Sequence, residues 1–298
     1  MRVLVAGASG FVGRRLCPAL KDAGHDVLAM TRRPDHYRGA GEPVYGDVAD
    51  IGSLRDALKN VDVAYYLVHS LDSTDFQQRD ADAARAFARA SADAGVRRIV
   101  YLGGLGDDGD SLSEHLASRR EVERLLAETG VPVTVLRAGI VIGHGGTSWE
   151  LTRQLVERLP VMITPRWVGT RTQPIALADV VRYLTGVLEH PETAGATFDI
   201  GGPEVLTYRD MLQRVAVMEG RMLAIVPVPL LTPRLSSYWL SLVADIDATT
   251  GRALIDSMGN EVVVRDDAIR RIVEFEPMGY DDAVLQALGE RARQRRAR

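Results

Sequence analysis

The sequence predicts an α/β fold, a doubly wound parallel sheet with a small C-terminal lobe beside it. Short apolar runs alternate with longer helix-period segments through the first two thirds, the pattern of linked strand–helix–strand units. A glycine turn follows the first apolar run directly, and after residue 143 the alternation gives way to proline-punctuated segments. The 298 residues are 46% hydrophobic and 26% charged, an ordinary globular composition; at about 150 residues per domain, that length allows one large unit or two closely joined ones.

Strands are predicted at 3–6, 26–31, 43–45, 63–68, 98–102, 133–136 and 197–200, where β-branched, aliphatic and tyrosine side chains gather. Helices at 11–23, 53–59, 75–94 and 113–128 link them, and right-handed crossovers put helices on both faces of the sheet. Pro18 falls inside the first helix, removing a backbone hydrogen bond and predicting a bend. Ser111 and Glu114 have capping-box spacing ahead of the last. Residues 1–143 are read as the core and 175–205 as a return to it. A first insertion, 144–174, contains Gly145, Gly146, Pro160, Pro165 and Pro174; a helical lobe, 206–298, is punctuated by Val226-Pro227-Val228-Pro229. The two insertions are expected to pack together over the sheet's carboxyl edge as a substrate-side lobe within one integrated domain.

Cys17 is the only cysteine, so an internal disulfide and cysteine-based zinc or iron–sulfur sites are excluded, which fits a reducing cytoplasm. The six histidines lack zinc-type spacing, and no metal is expected. Net charge is −4, but the last ten residues carry five arginines against Glu290, leaving the body at −8 and arguing against nucleic acid as a partner. That basic tail reads as a solvated helix end, with contact to anionic lipid or a protein as the other reading. No apolar run approaches the roughly 20 residues that span a bilayer, and no basic leader precedes the first strand, so a soluble cytoplasmic protein is expected. Lys21 and Lys59 are the only lysines beside 34 arginines.

The run Val3-Leu4-Val5-Ala6 leads into Gly7-Ala8-Ser9-Gly10-Phe11-Val12-Gly13, the strand, glycine turn and helix of a dinucleotide site. Gly7 and Gly10 let backbone approach a pyrophosphate, and Ser9, Phe11 and Val12 stand at a helix N-terminus whose N–H groups suit an anion. Gly13 permits close helix–sheet packing. The second strand ends Thr31-Arg32-Arg33, where an NAD site usually carries a carboxylate. Guanidinium groups suit a 2′-phosphate, so NADP(H) is expected over NAD(H). Asp47, beside Val48, can accept from the adenine amine or cap a turn. Leu67, Gly103 and Ala138-Gly139-Ile140 end later strands at the same edge and complete the expected cofactor contacts.

These residues, together with Arg98 to Leu102, Arg137 to Gly143, Gln173 to Val181 and Asp199-Ile200-Gly201-Gly202, resemble the atypical short-chain dehydrogenase/reductase superfamily with its Rossmann fold. More narrowly the chain is similar to the NmrA-like, NAD(P)H-binding branch related to the complex I accessory subunit, over residues 1–203. The resemblance implies a Tyr-x-x-x-Lys pair on the helix after the fifth strand, with tyrosine as proton donor. Here that helix reads His115-Leu116-Ala117-Ser118-Arg119, so His115 and Arg119 hold the i and i+4 places on one face. Arg119 can hold the nicotinamide ribose, and His115 can donate a proton near neutral pH; a charged solvated face is the plainer alternative. His69, followed by Ser70 at the fourth strand's end, is a second catalytic candidate or a structural histidine.

His144, Trp149 and Trp167 are the candidate substrate contacts, with core packing as the competing account of the tryptophans. Leu235, Tyr238, Trp239, Leu242 and Val243 fall at helical spacing and raise the same choice. A pocket built from such groups takes an apolar or aromatic molecule. Helices 75–94 and 113–128 occupy positions that pair across dimers in the superfamily, so a homodimer and close intrachain packing both remain open. Two functions follow: an NADP(H)-dependent oxidoreductase acting on an apolar carbonyl or enone, with an epimerase as a lesser variant, or a non-catalytic NADP(H)-binding sensor or scaffold that acts on a protein partner.

Overall fold

The computed structural model describes residues 1–70, 75–107, 109, 111–227 and 248–296. Its strands run β1 (Arg2–Ala6), β2 (Asp26–Thr31), β3 (Glu42–Tyr45), β4 (Val63–Tyr66), β5 (Arg98–Gly104), β6 (Val133–Ala138) and β7 (Val141–Ile142). There follow β8 (Val161–Thr164), β9 (Arg171–Thr172), β10 (Ile175–Ala176), β11 (Thr197–Ile200), β12 (Leu206–Thr207) and β13 (Ala224–Pro227). Helices α1 (Gly13–Asp22), α2 (Ile51–Ala57), α3 (Phe76–Asp93) and α4 (Glu114–Ala127) serve the first half, and α5 (Thr147–Arg158), α6 (Leu177–Gly186) and α7 (Tyr208–Met218) the second.

The main sheet has seven strands in the order β11-β6-β5-β4-β1-β2-β3, every pairing parallel. Strand order reverses between β1 and β4, which opens a crevice beyond their carboxyl ends. Side-chain alternation divides the core into two layers. Val3 and Val5 of β1 join Val63 and Tyr65 of β4 under α1 and α6, while Leu4, Ala6, Ala64 and Tyr66 face α2, α3 and α4. Tyr101 of β5 shares this second layer, so two tyrosines point toward the α3–α4 seam, their ring centroids 6.1 Å apart. Burying side chains of this size stabilises the fold by about 1.5–3 kcal/mol each.

The second insertion packs on the first. β13 pairs in parallel with β8, and Trp149 and Leu155 of α5 share a core with Met211 and Val215 of α7 and with Tyr280 and Val284 of the C-terminal helix Tyr280–Arg296. That helix also reaches the core domain, where Glu290 accepts from Arg15 of α1 at 2.6 Å. Asn260 clamps the entry to α4: its Oδ1 accepts from Ser113 N at 3.0 Å and its Nδ2 donates to the Ser111 carbonyl at 3.0 Å.

Several local expectations change. Ser113, not Ser111, caps α4, accepting from Leu116 N at 3.3 Å; the Ser111 carbonyl is held by Asn260 instead, so the capping-box reading fails by two residues of register. β4 stops at Tyr66 rather than continuing to residue 68, which frees residues 67–70 to line the crevice. Leu235, Tyr238, Trp239, Leu242 and Val243 lie outside the described residues. Among the described residues, no helix is long and apolar enough to cross a membrane.

Candidate functional site

The crevice begins at the glycine turn. Gly7 has φ +88°, a left-handed conformation that favours glycine, and a Cβ there would stand 3.0 Å from the Leu67 carbonyl at the end of β4. Gly13 is more constrained in space: a Cβ would meet the Gly7 carbonyl at 2.2 Å and Ala8 Cα at 2.7 Å. A Cβ on Gly10 meets only the Gly7 carbonyl, at 3.1 Å, leaving room on the outer side. Gly10 N donates to Gly7 O at 2.9 Å and Arg14 Nε to Ser9 O at 2.6 Å, which pins the turn. The N–H groups of Phe11 and Val12 meet no backbone acceptor among the described residues, and α1 lacks a side-chain cap. Unanswered donors at a helix N-terminus fit a phosphate. The Phe11 ring packs at Gly143 and Gly146, so Phe11 offers a ligand its backbone alone.

Arg32 and Arg33 are both exposed beyond β2, and Thr31 Oγ1 accepts from Arg33 N at 3.2 Å. Asp47 behaves as a turn residue: its Oδ1 accepts from Ala49 N at 3.0 Å, and its own N–H donates to Ser53 Oγ at 3.0 Å. That meets the turn-capping reading through Oδ1, while Oδ2 has no hydrogen bond among the described residues and stays open to an adenine amine. Val48 packs into the layer beneath α2. The Ala138 and Ile140 carbonyls accept from Leu105 and Ile175, and a Cβ on Gly139 would face Gln173 O at 3.5 Å.

At the ends of β4 and β5 the chain gathers charge. A Cβ on Gly103 would meet Glu123 Oε1 at 2.7 Å, and one on Gly104 would meet Leu116 at 3.0 Å and Arg119 Cγ at 3.5 Å. The two glycines thus let α4 lie close against the end of β5. On α4, Arg120 donates to the Gly104 and Gly106 carbonyls at 2.8 and 2.6 Å and pairs with buried Glu123, which also takes Arg137 at 2.7 Å. The helix face is therefore not simply solvated.

From α4, the charge of Arg119 acts on His69, His115, Asp80, Tyr66 and Tyr101. His69 keeps solvent access within a ring of protein, and its imidazole is pulled down to about 3, first by Arg119, then by lost hydration and by His115. His115 also falls to about 3, here chiefly through burial and then Arg119, and its Nδ1 is buried without a partner. Both rings are neutral at pH 7. Burial and Arg119 thus disfavour an imidazolium at His115 near neutral pH, and the neutral ring can donate an N–H hydrogen bond.

The substrate contacts change as well. His144 has both ring nitrogens engaged, Nδ1 with Glu150 at 3.1 Å and Nε2 with Gln294 at 2.6 Å, so it fastens the C-terminal helix. Trp149 is 0% exposed and Trp167 stacks edge-on against Tyr208 at 5.7 Å; both belong to the lobe core. A separate apolar group at the start of α4 is formed by Leu105, Leu112, Leu116, Val262 and Val264. Sequence reading also missed Asp80, Tyr66 and Tyr101. The available signal was a charge on the buried stripe of α3, four residues after Phe76 and four before Ala84.

A family model described as NAD(P)H-binding matches residues 7–191. The chain is 30% identical over 230 residues to the (4-alkanoyl-5-oxo-2,5-dihydrofuran-3-yl)methyl phosphate reductase of Streptomyces griseus subsp. griseus, covering 74% of each chain. It is 25% identical over 239 residues to mitochondrial NADH dehydrogenase [ubiquinone] 1 alpha subcomplex subunit 9 of Mus musculus, spanning 76% of this chain and 63% of that one. Its fold matches Citrobacter sp. triphenylmethane reductase complexed with NADP(H) at a TM-score of 0.78 and 16% identity, over 96% of this chain and 100% of that one.

The two loop glycines should separate on substitution. Gly10→Val is expected to remain folded and lose nicotinamide-dinucleotide binding, whereas Gly13→Val should fail to fold, since its Cβ meets backbone; circular dichroism with calorimetry checks both, and equal outcomes would contradict the division. In the Arg119→Gln protein, NMR titration should find both imidazoles raised toward the ordinary 6.5, with His69 rising further because the guanidinium is its leading cause and burial is that of His115. An unmoved His69 would refute the proximity.

Proposed function

The chain belongs to the NAD(P)H-binding family, and on that footing we propose that it is an NADP(H)-dependent reductase of an apolar carbonyl or enone. The carrying observation is the meeting of His69, His115 and Arg119 at the carboxyl ends of β4 and β5, on the edge where the glycine turn ends β1. The free N–H groups of Phe11 and Val12 and the open side of Gly10 fit the pyrophosphate, and exposed Arg32 and Arg33 suit a 2′-phosphate. Arg119 takes the nicotinamide ribose. Bound there, the cofactor supplies a hydride to the electrophilic carbon.

The chain's part is to orient and polarise. Neutral His115 and His69 donate hydrogen bonds to the substrate oxygen as negative charge develops on it, a role that needs no imidazolium. The proton then comes from water, which reaches the cleft at His69. Leu105, Leu116 and Val262 furnish apolar contact beside the reacting group, which supports a poorly hydrated substrate. The alternative, a cofactor-binding sensor acting on a protein partner, draws support from the same two neutral histidines in place of a tyrosine donor.

NADPH is expected to bind at least about tenfold tighter than NADH, and Arg32→Ala with Arg33→Ala should erase most of that margin, a charged contact being worth about 1.5–3 kcal/mol. Calorimetry reads both, and equal affinities in the parent protein would reject the NADP(H) assignment. NADPH oxidation followed by absorbance across a set of aromatic aldehydes and enones separates enzyme from sensor: binding without turnover on any of them favours the sensor.

A further inference from the structure

Half of the large apolar side chains that stand exposed among the described residues fall where the two insertions meet. There β8 and β13 pair in parallel as a two-stranded ribbon, with Val161 opposite Ala224, Met162 opposite Ile225 and Ile163 opposite Val226. Side chains alternate across a strand, so the ribbon has two distinct faces. Met162 and Ile225 pack into the lobe core. On the other face Val161, Ile163 and Val226 are 53%, 57% and 48% exposed. Met222, just before β13, is 91% exposed, and Val217, in the last turn of α7, is 76% exposed. Single exposed apolar side chains are ordinary, but a group on adjoining positions marks a contact surface.

The charge at the edge of that face is positive. Arg158 and Arg221, both exposed, precede β8 and β13. Arg221 donates to the Glu157 carbonyl at 2.7 Å, and Arg291 of the C-terminal helix donates to the Glu157 carboxylate at 3.1 Å. The basic end of that helix therefore starts from the same corner. Arg295 follows Arg291 by one turn on the same helix face, and Arg293, Arg295 and Arg296 are exposed. Against them the corner holds Glu157 and Glu219, each more buried than Arg221.

We propose that the face of Val161, Ile163, Val226 and Met222, with the arginines at its edge, seats the protein on an anionic lipid bilayer. The apolar side chains enter the boundary between headgroups and acyl chains, the guanidinium groups meet lipid phosphates, and the strength of the seat grows with both. A second copy of the chain fits this face less well, because it brings the same excess of arginine to the contact. The inference is independent of what the cofactor crevice binds.

The test is sedimentation of the full chain with vesicles of phosphatidylglycerol and phosphatidylcholine, and with vesicles of phosphatidylcholine alone. At low salt, partition to the anionic vesicles should exceed that to the neutral ones at least about tenfold, and added salt should reduce it. Ile163→Thr with Val226→Thr keeps β-branched side chains in both strands and should lower partition about tenfold. Arg221→Gln with Arg295→Gln should lower it severalfold at low salt. A parent protein that stays in the supernatant overturns the proposal, as does a threonine variant that binds like the parent, which reduces the contact to charge alone. Light scattering that finds the parent dimeric and the threonine variant monomeric assigns the face to a second copy and likewise overturns it. Should the threonine variant not fold, hydrogen exchange of the parent decides: anionic vesicles must slow exchange at residues 161–163 and 224–226, and unchanged exchange there rejects the proposal.

Discussion

One partly exposed guanidinium on α4 organises the candidate site. Arg119 projects from α4 into the seam with α3 and imposes its charge on five titratable groups drawn from β4, β5, α3 and α4. A cation there makes protonation of a nearby imidazole unfavourable, the leading cause at His69 and second to burial at His115. The chemistry open to this cleft follows from that charge: hydrogen-bond donation and electrostatic orientation in place of transfer from an acidic side chain.

The rest of the fold delivers Arg119 to that place. Gly103 and Gly104 let α4 lie against β5, Glu123 gathers Arg120 and Arg137 at its flank, and Asn260 holds the start of α4 from the C-terminal lobe. The lobe consequently does more than cover the sheet edge. Val262 and Val264 enter the apolar group of Leu105 and Leu116 at the start of α4, and the C-terminal helix is fastened through His144–Gln294 and Arg15–Glu290. The latter pair is largely exposed and contributes little by itself, so docking depends chiefly on the buried core of Trp149, Met211, Tyr280 and Val284.

The sheet was legible because its information is local. Buried parallel strands read as continuous apolar runs, and all seven predicted strands occur with ends shifted by two residues or fewer. The glycine turn was legible for the same reason at Gly13, whose Cβ would meet Gly7 and Ala8 within the turn, although Gly7 also answers to Leu67 after β4. What escaped depends on contacts between distant residues. His144 meets Gln294 150 positions away, and nothing near His144 signals that. For Trp149 and Trp167 core packing is the default reading and a pocket wall the competing one, a choice settled by packing against α7 and the C-terminal helix. The pairing of His115 with Arg119 at i and i+4 correctly put them on one face, but the direction in which the guanidinium shifts its neighbours requires knowing that Asp80 and His69 surround it.

The most direct test of this account is the crystal structure of the protein with NADPH. The account predicts the pyrophosphate at the N–H groups of Phe11 and Val12, the nicotinamide lying beyond β4 and β5, and the Arg119 guanidinium within hydrogen-bonding distance of its ribose, with His69 and His115 facing the ring. A nicotinamide lying elsewhere, with Arg119 making no contact to the ribose, would contradict it.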